Sequence, residues 1–140
     1  MARQRYLAIS GVLGIVAVML GGYHGYGEIL QGSATPPGVM INAFGGPNCP
    51  PAGDANCFPA MTILPTNFMT VGIITVVVAI ITLLSVIMII VRRDRGIGLL
   101  ISSIVLLLVG GGFLPPILGI IGAIAGFLAG KNQDRTERAN

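Results

Sequence analysis

The sequence predicts an all-α membrane protein with four transmembrane segments, the last two of which form a short helical hairpin. Of its 140 residues, 54% are hydrophobic and only 9% are charged, and the mean hydropathy is +0.88. A soluble domain carries about 25% charged residues and could not bury so much apolar surface at this length. The apolar residues form continuous runs rather than alternating with polar ones, which argues against a transmembrane β-barrel.

The distribution of basic residues predicts the topology. All eight lie in three short segments, at residues 3–5, 92–95 and 131–138. Cytoplasmic loops of membrane proteins are enriched in Lys and Arg, so we place all three segments in the cytoplasm. Both termini are then cytoplasmic, and residues 27–66 form an extracytoplasmic loop. We expect the protein to lie in the cell (plasma) membrane, with the lipid bilayer as its immediate partner.

The first predicted segment covers residues 6–26 and runs from the cytoplasm outwards. With the preceding basic residues it is similar to a secretory signal, but no convincing small-x-small cleavage site follows, so we interpret it as a retained helix. Small residues recur at every fourth position, at Ala17, Gly21 and Gly25. Such a stripe lets a neighbouring helix approach closely. A fraying helix end is the alternative explanation of these glycines.

His24 and Glu28 lie four positions apart, so one helical face would carry both side chains. The pair could bind a metal, relay a proton or form an ion pair, and His is a common metal ligand. Two ligands do not complete a metal site, however, and the chain has no second His. We interpret the two residues as a polar pair at the outer interface and expect no metal and no cofactor.

The extracytoplasmic loop, residues 27–66, holds seven of the nine prolines, a density that forbids a long helix. Its apolar pieces Val39–Phe44 and Phe58–Leu64 predict a small antiparallel ribbon. Cys49 and Cys57, the only two cysteines, lie between these pieces. In an oxidising compartment they predict a disulfide, worth about 2.5 kcal/mol in the loop-entropy treatment. The loop carries only two charges, so we expect it to pack on helix ends, the membrane surface or a partner.

The second predicted segment, residues 67–91, has no charged residue. At 1.5 Å per residue it would be about 37 Å long, which exceeds the bilayer core and predicts a tilt. Thr75, Ala79, Thr82 and Ser85 fall on one side, where small and hydroxylated residues suit contact with neighbouring helices. A polar transport path along this side is the alternative, although Thr and Ser can bond their hydroxyls to their own backbone.

The third and fourth segments, residues 96–113 and 115–130, form the hairpin. A tight turn leaves two arms that can span a slightly thinned bilayer. A turn over all of Gly110–Pro116 leaves arms of about 21 Å and a re-entrant hairpin. We favour two short spans, because proline suits the first turn of a helix. Five residues make the turn: Gly110, Gly111, Gly112, Pro115 and Pro116.

Glycine recurs at every fourth position of the last segment, at Gly122, Gly126 and Gly130. This repeat permits close packing against the third segment or self-association of two copies. Residues 131–140 form a polar cytoplasmic tail.

Four short motifs resemble a group of small four-span bacterial membrane proteins to which no activity is assigned. They are His24–Gly32, Thr35–Gly38, Cys57–Ile63 and Gly110–Ile117. The resemblance implies the architecture only. The layout is also similar to that of claudin-like proteins, which carry a disulfide in a large first outer loop. A tryptophan motif marks the claudin loop, and this chain has no tryptophan, so that likeness is an analogy of layout.

The sequence lacks the usual signatures of catalysis. It has neither a nucleotide-binding loop nor a pair of carboxylates placed for acid–base chemistry. It has no charged residue inside a predicted span, where coupled transporters usually carry some. The absence of tryptophan and the scarcity of polar surface argue against nucleic-acid binding.

We therefore expect a non-enzymatic protein that acts through helix and loop contacts. It would be an accessory or structural subunit of a membrane complex, with other membrane subunits or a second copy as its partner. A small transporter or channel-forming oligomer is the alternative. Metal or haem binding at His24 is a third hypothesis.

Overall fold

The long apolar runs fold into helices in a computed structural model that describes residues 2–33, 40–41, 61–64, 66–92 and 96–137, with side chains for 3–33, 62–64, 66–91 and 96–131. Helix α1 spans Ala2–Leu30, α2 spans Phe68–Arg92, α3 spans Ile97–Val109 and α4 spans Leu114–Glu137. Strand β1 is Met40–Ile41 and β2 is Met61–Thr62. The predicted all-helical class with four helices is confirmed.

Three of the four helices contain a stretch that is long and apolar enough to cross a membrane. They are α1, α2 and α4. Helix α3 is also apolar but has only 13 residues, or about 20 Å. The structure therefore supports a helical membrane protein, while the number of spans depends on how α3 is placed.

Each helix runs antiparallel to its neighbours, and the order around the bundle is α1, α2, α3, α4. Gly11 of α1 lies against Ile90 of α2, whereas Gly25 lies against Gly72. We call the end that holds the start of α1 and residue Lys131 the basic end. The opposite end, which carries strands β1 and β2, is the ribbon end.

Small residues line the seams between helices, because a missing side chain lets two backbones approach. Ala17, Gly21 and Gly25 are all buried along α1. A Cβ atom at Gly122 of α4 would lie 3.3 Å from the carbonyl oxygen of Ser10, and one at Gly126 would lie 3.4 Å from its Oγ. Gly130 is only half-buried. Most of these small residues therefore pack against other helices of the same chain.

The hydroxylated side of α2 faces the bundle interior. Thr75 and Thr82 are fully buried and Ala79 is nearly so, whereas Ser85 is half-buried. The core of the basic half adds Val86, Ile89, Leu99 and Ala123. The opposite side of α2 leaves large apolar residues exposed, as expected for a surface in contact with lipid.

The predicted ribbon is confirmed as a short antiparallel pair, with Met40 opposite Thr62 and Ile41 opposite Met61. Beyond β2, the backbone N–H of Ile63 donates to the Leu108 carbonyl of α3 at 3.0 Å. The described part of the loop thus packs on the C-terminal end of α3, the helix that is shorter than a usual membrane span, and donates to one of its terminal carbonyls. Cys49 and Cys57 lie outside the described residues, so their disulfide stays a prediction.

Helix ends differ from the sequence expectation where glycine sets the backbone. Helix α1 continues past residue 26 to Leu30, despite Gly25 and Gly27. Helix α3 ends at Val109 because Gly110 and Gly112 take positive φ angles of 123° and 74°. Helix α4 starts at Leu114 and continues into the predicted tail as far as Glu137.

Candidate functional site: a buried carboxyl beneath the glycine turn

Glu28 is the acidic residue that the bundle encloses at the ribbon end. Because α1 stays helical through residues 25–27, Glu28 lies one turn after His24 and points inward. Its side chain is fully buried, with 0% exposure. The sequence placed this residue at an outer interface, whereas the structure places it inside the bundle.

Three helices contribute to the surroundings of this carboxyl. His24 Nε2 lies 3.7 Å from Glu28 Oε1. From α2, the hydroxyl of Thr75 donates to Glu28 Oε2 at 3.3 Å. The same hydroxyl lies 3.5 Å from the carbonyl oxygen of Val109, at the end of α3. The Thr75 oxygen therefore stands between a side-chain acceptor and a backbone acceptor.

Close approach of α1 and α2 brings Thr75 within reach. A Cβ atom at Gly25 would lie 3.0 Å from both the Gly72 carbonyl oxygen and the Thr75 Cβ. A Cβ atom at Gly72 would collide with the Gly25 carbonyl oxygen. These two glycines make the α1–α2 distance at the ribbon end short enough for a hydrogen bond between helices.

The glycine turn, residues 110–113 between α3 and α4, closes the site from the other side. A Cβ atom at Gly110 would lie 2.9 Å from Glu28 Oε1 and 2.6 Å from Val71 Cγ1. One at Gly112 would lie 3.2 Å from His24 Nδ1. Glycine is therefore required at position 110 for two independent reasons, the positive φ angle and the adjacent carboxyl.

The electrostatics of the site are dominated by oxygen atoms. The C-terminal end of α3 presents the negative end of the helix dipole beside the Glu28 carboxyl. Arg3, Arg5 and Lys131, whose side chains are described, all lie towards the basic end. Within the described part of the chain, His24 is the one group near Glu28 that can carry a positive charge. A buried carboxylate is costly unless it is paired or coordinated.

The described side chains hold no group of three His, Cys, Asp or Glu residues that could bind a metal together. His24 and Glu28 are adjacent as predicted, but no further ligand of these types joins them within that part of the chain. Besides the His24 imidazole, the ligands that the site offers are the Glu28 carboxyl, the Thr75 hydroxyl and the Val109 carbonyl.

The hydroxyls nearer the basic end bond within their own helices. Thr82 donates to Val78 O at 2.8 Å and Ser85 to Ile81 O at 3.0 Å. On α3, Ser102 and Ser103 both donate to the carbonyl oxygen of Leu99. Hydroxyls whose protons bond their own helix do not donate into a polar path between helices. A groove of about 270 Å³ beside them, between α2 and α3, is mostly apolar.

Sequence reasoning found His24, Glu28 and the glycines of the turn, but not how they combine. Thr75 was assigned to helix packing, and its bond to Glu28 joins residues 47 positions apart. Gly72 was missed altogether. A single glycine in a run rich in Val and Ile was the available signal, because glycine weakens a helix unless close contact requires it.

No family model, curated protein or solved structure matches the chain. The resemblance to small four-span bacterial proteins stays a prediction from short motifs.

Proposed function

We propose that the chain is a four-span protein of the cell membrane that acts by contact, as an accessory or structural subunit of a membrane complex. The supporting observation is the division of its surfaces. Small residues that favour helix association face inward, while the exposed side chains of α1 and α2 are large and apolar. A partner subunit would pack on those outer faces and on the loop at the ribbon end.

The proposed topology puts the basic end in the cytoplasm together with both termini. Residues 27–66 then lie outside, where the Cys49–Cys57 disulfide would form. Helix α3 would cross a locally thinned bilayer, because Gly96 packs against Ala123 near the basic end and Gly110 against Glu28 at the ribbon end. The ribbon residues at the end of α3 would extend this segment further along the membrane normal.

Cysteine accessibility tests this topology. Phe113 and Ile97 flank the two ends of α3 and are about equally exposed, at 48% and 49%. In a background where Cys49 and Cys57 are serine, an impermeant thiol reagent added to intact cells should label Phe113→Cys but not Ile97→Cys. Labelling of Ile97→Cys alone would reverse the orientation. Failure of both to react in intact cells, with Ile97→Cys reacting after lysis, would indicate a re-entrant hairpin.

Photocrosslinking in the native membrane tests the contact function. A photoreactive amino acid at Leu84 would lie on the exposed face of α2, whereas one at Val86 would lie inside the bundle, since the two residues are 56% and 1% exposed. A discrete protein adduct at Leu84 that is absent at Val86 would support a subunit partner. Lipid adducts alone at several exposed positions of α1, α2 and the ribbon end would contradict it.

A small transporter or channel-forming oligomer is the second candidate, and the buried Glu28 carboxyl is the observation in its favour. Ionisable groups inside a membrane bundle commonly belong to ion pathways. Purified protein in liposomes should then carry ions or small solutes faster than empty vesicles do. A Glu28→Gln variant should abolish that flux, and equal leakage from both proteins would argue against transport.

A further inference from the structure

We propose that the Glu28 carboxyl, the Thr75 hydroxyl and the Val109 carbonyl form a binding site for a sodium ion. The three groups come from α1, α2 and the end of α3, and they meet beneath the glycine turn. The proposal is independent of the contact function above, since a bound ion can fix a helix junction in any membrane protein.

The spacing of the oxygen atoms is the first argument. Thr75 Oγ1 lies 3.3 Å from Glu28 Oε2 and 3.5 Å from Val109 O. Both distances exceed the usual hydroxyl–oxygen hydrogen bond of about 2.7–2.8 Å. Sodium is close in size to calcium, whose oxygen ligands lie about 2.3–2.6 Å away, so neighbouring ligands at right angles would be about 3.4 Å apart. The larger potassium ion would need oxygen ligands that lie farther apart.

The charge of the site is the second argument. One carboxylate and two neutral oxygens suit a monovalent cation, whereas tight calcium sites usually contain several carboxylates. The C-terminal end of α3 adds a partial negative charge. Carbonyls at broken helix ends are a known way of holding sodium within membrane proteins.

The burial of Glu28 is the third argument. Its side chain is 0% exposed, and its Oε1 atom makes no hydrogen bond to the part of the chain that the structure describes. Buried polar oxygens are normally satisfied by a donor, a water molecule or an ion. The atom faces the backbone of Gly110, which can approach it because glycine has no side chain. A cation there would give Oε1 a closer partner than His24 Nε2, which lies 3.7 Å away.

The titratable groups that face the site are few. His24 faces it from α1, with Nε2 3.7 Å from Glu28 Oε1. The described residues of α2, α3, the ribbon and the glycine turn contribute no titratable side chain there. A protonated His24 is therefore the competing source of positive charge, and the experiment must separate it from sodium.

Thermal unfolding of the purified full-length protein in detergent provides the test. Sodium chloride is titrated against N-methylglucamine chloride and potassium chloride at constant ionic strength, and the series is repeated at an acidic and an alkaline pH. A ligand that binds only the folded state should raise the Tm by roughly 3–6 °C at ten times its dissociation constant. Sodium should give this rise at alkaline pH, and the other two cations should not.

Matched variants assign the effect to the site. Thr82→Val removes a buried hydroxyl that bonds only its own helix and should keep the sodium response. Thr75→Ser should also keep it, whereas Thr75→Val and Glu28→Gln should lose it. Binding of radioactive sodium to the wild-type protein, displaced by unlabelled sodium but not by potassium, gives a readout that needs no variant to fold.

Three outcomes would overturn the proposal. Equal Tm values in the three salts at alkaline pH, with no displaceable radioactive sodium, would show that no sodium binds. If the Tm changed with pH but not with the identity of the cation, protonation within the His24–Glu28 pair, rather than sodium, would balance the charge of the carboxylate. A sodium response that survives Glu28→Gln would place the ion elsewhere.

Discussion

Thr75 and Thr82 lie two turns apart on the same side of α2, and both are fully buried, yet their hydroxyls have different uses. The Thr82 hydroxyl donates to the carbonyl of Val78 in its own helix at 2.8 Å. The Thr75 hydroxyl reaches Glu28 on another helix at 3.3 Å. Threonine therefore makes a hydrogen bond within its own helix near the middle of the bundle and a hydrogen bond between two helices at the ribbon end.

The difference follows from how closely the helices approach. At the ribbon end, Gly25 and Gly72 bring α1 and α2 into backbone contact, and the turn brings Gly110 against Glu28. In the Thr82 region, side chains such as Val86 and Leu99 fill the space between helices. A hydroxyl with no partner in reach bonds its own backbone, which costs little and carries no chemistry. The following substitutions test that contrast.

The largest effect should come from Gly110→Ala at the ribbon end. Alanine there would adopt a left-handed backbone at a cost of about 1–2 kcal/mol, and its Cβ would press on Glu28 and Val71. We expect a total loss of about 3 kcal/mol in the free energy of unfolding, measured by denaturant titration in mixed micelles. Gly32→Ala is the control, because its φ of 70° is also positive but no neighbouring atom lies within 4 Å. Equal losses in both variants would show that the carboxyl contact is unimportant.

The next effect should come from Gly72→Ala, which tests the backbone contact between α1 and α2. Overpacking would cost about 3 kcal/mol, and the better helix propensity of alanine would return about 1, leaving a net loss near 2 kcal/mol. Gly22→Ala on α1 is the matched control, since a Cβ atom there meets nothing within 4 Å. That variant should be neutral or slightly more stable. A Gly72→Ala protein as stable as the Gly22→Ala protein would contradict the close contact.

A smaller effect should separate the two threonines directly. Thr75→Val leaves Glu28 Oε2 without its hydrogen bond and should cost about 1–2 kcal/mol. Thr82→Val removes only a bond to its own helix, whose carbonyl acceptor keeps its backbone donor, and should cost about 0.5 kcal/mol. Combining each with Glu28→Gln in a double-mutant cycle should give a coupling energy for Thr75 and none for Thr82. Equal coupling energies would remove the distinction between the two regions.

The smallest effect should occur on α4, at Gly119→Ala. The added Cβ would meet the Ser103 hydroxyl, which can rotate away, so we expect a loss of about 0.5–1 kcal/mol. Adding Ser103→Ala should restore stability to within experimental error. Thermal unfolding of the single and double variants would show whether this interior surface adapts, whereas the ribbon end does not. A loss that persists in the double variant would indicate that the Cβ atom of residue 103, 3.0 Å from the added Cβ and retained in Ser103→Ala, cannot move away.

Much of the architecture could be predicted because it depends on local composition. Continuous apolar runs predicted the long helices, and two apolar pieces among prolines predicted the ribbon of Met40–Ile41 with Met61–Thr62. The turn was located by glycines whose backbone other residues rarely adopt. The end of α3 was less accessible to sequence reasoning, since an apolar residue such as Phe113 can continue a helix or leave it.

A helical, membrane-compatible chain with its basic residues grouped in three segments can be predicted from the amino-acid sequence, because hydrophobicity and charge act residue by residue. The folded bundle was needed to show that Glu28 is enclosed, that Thr75 bonds to it rather than to its own helix, and that Gly72 and Gly110 make this possible. Those facts depend on how near separate helices approach. That distance is fixed jointly by small residues far apart in the chain, and no single segment contains it.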